Sequence, residues 1–161
     1  MVEHGIRPVR PEDQEFLFRL YASTRPEVSA FGWAAQQQEA FLRMQFNAQQ
    51  RWYQTVYPEC EHNIILANEA PIGRMLVSSN RDSVTLVDIS LLPEYRNRGI
   101  GAALIHTLIE TAMAEGQAVK LQVLRMNRAQ HLYHRLGFVV TGQDEMYIQM
   151  EIRPNGKQNK D

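Results

Sequence analysis

The chain has one cysteine, Cys60, in 161 residues. An internal disulfide framework is excluded, and a lone cysteine without a matched set of ligands is no zinc motif. Nothing near Cys60 in sequence would activate a thiol nucleophile, so a small, partly buried side chain is the simpler expectation. Long apolar runs are missing too: no window approaches the roughly 18 uninterrupted apolar residues of a membrane helix, and "MVEHGIRPVRPED" lacks an apolar core of signal-peptide length. Charge of one sign is lacking, with 17 Lys and Arg against 18 Asp and Glu. No global field would gather nucleic acid or anionic lipid, so an anion site must be local. The expectation is a soluble, cytoplasmic protein without nucleic acid or membrane partners. Its length is that of one domain, able to bury ~70% of its unfolded surface.

Glycine and proline are absent from Ala34 to Tyr57. Within that span Phe41, Met44, Ala48 and Trp52 recur at helical spacing beside Leu42, Phe46, Gln49 and Tyr53, which predicts a long helix with a wide apolar side. Before it, "GIRPVR" reads as a short strand. "PEDQEFLFRLYAS" reads as a helix with Pro11 at its first position and Phe16, Leu17, Leu20 and Tyr21 on one face. "TRPEVSAFGW" breaks the pattern at Pro26 and Gly32.

After the long helix, "HNIILA", "APIGRMLVSS" and "SVTLVDISLL" are β-branched apolar segments separated by "NE" and "NRDS", the pattern of an antiparallel meander. Ile100, Leu104, Leu108, Ala112 and Ile105, Ile109, Met113 then form a helical stripe that stops at Gly116. "AVKLQVL" returns as a strand, so Ser83 to Leu124 should be a right-handed parallel crossover. Asn127 to Leu136 reads as a short helix, "GFVVTG" and "MYIQMEI" as two last strands, and residues 154–161 as a polar tail following a domain of residues 1–153.

The stretch "LLPEYRNRGIGAAL", Leu91 to Leu104, places two arginines and two glycines at a helix start. The first amides of a helix have no intrahelical acceptor and the dipole there favours an anion. Gly99 and Gly101 let a ligand approach without a Cβ in the way, and Arg96 and Arg98 add charged donors. A dinucleotide fingerprint would need a third glycine where Leu104 stands and an acid after "AVKLQVL". A nucleotide triphosphate loop would need Gly-Lys-Ser/Thr, which is absent.

The spacing Arg96, Gly99, Gly101 resembles the pyrophosphate turn of the GCN5-related N-acetyltransferases. "NRAQHLYHRLGF" is similar to that family's second motif at Asn127, Ala129, Tyr133, Gly137 and Phe138, and the element order from about Ile6 to Ile152 resembles the family's as well. The resemblance implies an α/β fold with a mixed, mostly antiparallel sheet of six or seven strands and about four helices. It implies transfer of an acetyl group from acetyl coenzyme A to a primary amine of a small molecule or peptide, by direct attack in a ternary complex. The cofactor would meet Leu91, Leu92, Arg96, Asn97, Arg98, Gly99, Ile100, Gly101, Ala102, Asn127 and Tyr133, with backbone at Leu91 and Leu92 pairing with the pantetheine.

Tyr133 is then the expected general acid, returning a proton to the departing thiolate. Some relatives carry a glutamate base where this chain has Gln122; Asp88 is the nearest carboxylate by sequence, and Glu27 or a water chain are alternatives. Arg25, Glu27, Trp33 and Tyr53 are the candidates for holding the acceptor, and a homodimer is one option for assembly. His131 and His134 share a helix but lack a third ligand, so no metal is expected. Gln122 keeps open a second reading, a non-catalytic acyl-coenzyme A sensor or interaction module of the same fold.

Overall fold

In the computed structural model, residues 3–154 are described; the expected polar tail, from residue 155 on, lies outside them. Strand β1, His4–Pro8, pairs antiparallel with β2, Glu61–Ala67, from His4 opposite Ala67 to Pro8 opposite Asn63. A 3-10 turn, Pro11–Asp13, leads into helix α1, Gln14–Ser23, whose Phe16, Leu17, Phe18, Leu20 and Tyr21 are buried. These residues pack with Phe46 and Ile64. The break expected at "TRPEVSAFGW" is a second 3-10 segment, Pro26–Phe31, and helix α2 follows over Ala35–Val56.

The apolar side of α2 is narrower than its spacing implies. Phe46 is buried, whereas Met44, Trp52 and Val56 are exposed. Only one of the two interleaved stripes meets the core, because a helix lying on a sheet covers it with one face.

Strands β3, Ala70–Ser79, and β4, Ser83–Leu91, complete the expected meander with β2. The β2–β3 turn has Asn68 at φ 47° and Glu69 at φ 69°, the two left-handed residues of a tight hairpin. β3 is buried from Ile72 to Val77, so both of its faces are covered. At Gly73 an added Cβ would lie 2.3 Å from Ser90 O, so β3 and β4 approach too closely there for any side chain.

Helix α3, Ile100–Ala114, ends at Glu115 and Gly116 and returns the chain to β5, Ala118–Leu124. The ladder between β4 and β5 is parallel, from Ser83 opposite Ala118 to Leu86 opposite Leu121, as the crossover requires. Helix α4, Ala129–Arg135, precedes β6, Val139–Gln143, and β7, Tyr147–Ile152. β7 runs antiparallel to both β5 and β6. The sheet is open and mixed, in the order β1-β2-β3-β4-β5-β7-β6. The chain divides into two compact units, Met1–Leu76 with Ile89–Arg96, and Val77–Asp88 with Asn97–Asp161. No helix among the described residues is long and apolar enough to cross a membrane.

Candidate active site

In the first unit, the end of β4 is fixed by its own register. Leu92 N donates to Ile72 O at 2.8 Å, and Leu92 O accepts from Tyr95 N at 3.0 Å. The peptide groups of Leu92 are therefore committed within the protein. Along a strand successive peptide groups face opposite edges, so those of Leu91 and Ile89 turn away from β3. Ile89 is not among the residues singled out in sequence, because which edge a residue serves depends on the partner's register.

Arg96 folds back onto this segment. Its Nε donates to Leu91 O at 2.9 Å and its Nη2 to Ser23 Oγ at 3.3 Å, while that hydroxyl donates to Leu20 O at 2.6 Å. The arginine thus ties the end of α1 to the end of β4, and its remaining Nη1 is the donor it can turn to a ligand.

In the second unit, the start of α3 is built from unusual backbone. Asn97 lies at φ 61° and Gly99 at φ 80°, and no side chain of the preceding residue caps the helix. A Cβ added at Gly99 would meet nothing within 4 Å, so open space lies in front of the residue that begins the helix. Ala103 N donates to Gly99 O at 3.0 Å and closes the first turn. The amides of Ile100, Gly101 and Ala102 precede that bond and are the donors a helix start offers to an anion. Arg98 is exposed in the same turn.

Tyr133 sits on α4 with its ring 5.8 Å from that of Phe138, at 66°. Burial pushes its phenol above the ordinary value near 10, and the negative charge of Asp88 raises it further. The Asp88 charge therefore acts on the Tyr133 phenol. Asn127 serves first as a turn residue: its Oδ1 accepts from Ala129 N at 2.9 Å, so it offers a ligand chiefly its NH2 group. Gln122 is exposed on β5, opposite Gln149.

The four acceptor candidates all belong to the first unit and do not form one cluster. Trp33 packs at 5.1 Å on Phe31 and 5.3 Å on Phe41, near the start of α2. Tyr53 lies twelve residues beyond Phe41, about 18 Å along the helix axis at 1.5 Å per residue. There Arg74 stands over its ring at 5.5 Å. Arg25 stacks on Tyr21 at 5.2 Å, and Glu27 is exposed in the 3-10 segment.

The chain matches the family described as "Acetyltransferase (GNAT) family" over residues 16–138. It is 33% identical over 75 residues to the [ribosomal protein bS18]-alanine N-acetyltransferase of Haemophilus influenzae, covering 46% of this chain and 51% of that one. It is also 33% identical over 79 residues to streptothricin acetyltransferase A of Bacillus subtilis, covering 47% of this chain and 45% of that one. The match thus spans about half the length of each of these two relatives. Among solved structures, PaiA N-acetyltransferase of Thermoplasma acidophilum in complex with coenzyme A has the same fold, with a TM-score of 0.70 at 20% identity over 94% of this chain and 99% of that one. The turn, the uncapped helix start and the two matched motifs agree with a match across most of the chain, which belongs to the GNAT acetyltransferase family.

Proposed function

We propose that the protein is an N-acetyltransferase that moves an acetyl group from acetyl coenzyme A to a primary amine of a small molecule or peptide, by direct attack in a ternary complex. Acetyl coenzyme A is the donor of the family. The observation that carries this reading is the start of α3, where left-handed Asn97 and Gly99 precede a helix with no side-chain cap and open space lies where a Cβ of Gly99 would stand. A pyrophosphate fits there, because amide N–H groups and the helix dipole favour an anion without a Cβ to exclude it. Arg98 and the Nη1 of Arg96 add charge-assisted donors, and Asn127 adds an amide donor. The peptide groups of Ile89 and the N–H of Leu91 are the ones best placed for the pantetheine, in the manner of an added strand, since the Leu91 carbonyl accepts from Arg96 Nε. Leu92 supports them from its bonds to Ile72 and Tyr95 rather than meeting the ligand itself.

The bound thioester supplies the acetyl group. The amine lone pair forms the new C–N bond as the C–S bond breaks, and the thiolate accepts the phenolic proton of Tyr133. A phenol near 10 donating to a thiolate near 8.5 is uphill by about 2 kcal/mol in water. The raised value of Tyr133 steepens that gap but keeps the phenol protonated throughout the neutral range, and a positioned donor meets the charge as it develops. An alkylamine is almost wholly protonated at neutral pH, so its proton must leave before attack. Asp88 takes that role, directly or through water. The relatives' names, bS18-alanine and streptothricin acetyltransferases, support an amine as the acceptor class.

The test is thiol release from acetyl coenzyme A over a panel of amino acids, polyamines, aminoglycosides and peptides. Tyr133→Phe should lower kcat about 100-fold and leave acetyl coenzyme A affinity nearly unchanged. Equal turnover would remove Tyr133 from the mechanism. Gln122 favours a second reading, an acyl-coenzyme A sensor, which tight binding without turnover on any amine would support.

A further inference from the structure

We propose that the outward face of α2 is a homodimer contact, in which the helix packs against α2 of a second copy across a two-fold axis at Ala48. The sequence sets two apolar stripes on this helix, and only the one that carries Phe46 meets the core. The other, Phe41, Met44, Ala48 and Trp52, is left outside: Met44 is 60% exposed, Trp52 is 50% exposed, and Ala48 is exposed between them. The stripe continues into exposed Val56 at one end. At the other it reaches exposed Phe31 through Trp33, whose ring is 5.3 Å from Phe41 and 5.1 Å from Phe31. All of these residues belong to the first unit.

Three observations select a second copy as the occupant. The first is spacing. Met44 and Trp52 each lie four residues from Ala48, ~6 Å along the helix on either side of it. A two-fold axis through Ala48 therefore sets Met44 on Trp52 of the partner subunit and Trp52 on the partner's Met44, thioether against indole. At the axis Ala48 meets the partner's Ala48, and two methyl groups let the helices approach to ~8 Å.

The second is charge. From Ala40 to Val56 the only exposed charged residue is Arg51, and the same axis sets it opposite Gln45 of the partner subunit rather than another cation. A face with one charge attracts neither an acidic partner nor nucleic acid nor anionic lipid. The third is area. A half-exposed large side chain leaves ~100 Å² in water, so Phe31, Trp33, Met44, Trp52 and Val56 together leave ~500 Å². That is near the upper end for the largest patch of an ordinary monomer, and more than half of the ~800 Å² that each partner buries in a standard interface. A small acceptor amine would cover only a fraction of it.

Sedimentation velocity of the full chain without acetyl coenzyme A reads this contact independently of catalysis. The protein should pass from monomer to dimer between about 1 and about 500 µM, with a Kd of about 10 µM. Ala48→Glu lies at an exposed position in mid-helix, so the fold tolerates it, which circular dichroism checks. It sets two carboxylates together at the axis and should weaken dimerisation about 100-fold. Ala48→Lys should do the same. An equimolar mixture of the two variants should dimerise again, because only a residue that faces its own copy brings glutamate onto lysine. A parent chain that stays monomeric at about 500 µM would overturn the proposal and leave the face to another partner. A dimer that Ala48→Glu leaves intact, or a mixture of the two variants that stays monomeric, would overturn it as well.

Discussion

The chain begins two of its helical segments with arginines in the preceding turn, and it finishes them in opposite ways. Ahead of α1, Asp13 accepts from Arg7 Nη1 at 2.8 Å, from Arg7 Nη2 at 2.9 Å and from Arg10 N at 2.7 Å. Its carboxyl is held at about 2, chiefly by the Arg7 hydrogen bonds and against the cost of burial. Ahead of α3 the corresponding residue is Gly99, which has no side chain to cap the helix and has open space where a Cβ would stand. At the first, the Asp13 carboxylate is engaged by Arg7 and the Arg10 amide, and these bonds contribute stability. At the second, on the function proposed above, the donors contribute binding.

Removing the built-in anion should give the largest effect. Asp13→Ala leaves Arg7 without its bidentate partner and should cost about 3 kcal/mol of stability in urea or thermal unfolding. Acetyl coenzyme A affinity should not change. A loss of affinity with unchanged stability would reverse the roles assigned to the two helix starts.

Acid should separate the same ion pair from its neighbour His62. The His62 ring is held near 4 rather than 6.5, first by burial and then by the charge of Arg74, while Asp13 acts in the opposite sense. The unfolded chain binds that proton more readily, so stability is complete above pH 6.5 and falls as pH drops from 6.5 towards 4. The Asp13 contribution is complete above pH 3.8 and is lost as pH falls towards 2. The urea midpoint should therefore decline in two stages. His62→Gln should flatten the upper stage and Asp13→Asn the lower.

Arg96→Ala should have a smaller effect, about tenfold weaker acetyl coenzyme A binding by calorimetry, equivalent to about 1.4 kcal/mol. Part of that loss is indirect, because the side chain also holds Leu91 O and Ser23 Oγ. Unchanged affinity would leave Arg96 only that structural role.

Much of the fold was legible because local pattern and global arrangement agree. The meander, the parallel crossover and the α3 stripe each followed from periodicity and short turns. What was illegible needed partners distant in sequence. The commitment of Leu92 to Ile72 is a matter of register, and a lone Gly73 inside "APIGRMLVSS" does not disclose the Ser90 carbonyl that excludes a side chain. Arg74 in the same run reads as an ordinary strand residue until α2 brings Gln49 and Tyr53 over it. The α3 start has a local cause, glycine at a helix start, and the separation of Trp33 from Tyr53 already follows from the long helix expected between Ala34 and Tyr57, which grouping the two by residue type overlooks.

The central claim is that the α3 start is open for an anion, and it is tested by supplying that anion from the chain. Gly99→Asp places a carboxylate ahead of α3, and aspartate tolerates the left-handed backbone of that position better than most residues. Calorimetric titration of acetyl coenzyme A into the folded variant and the parent should show affinity reduced about tenfold or more. Equal affinity in the two proteins would contradict the account.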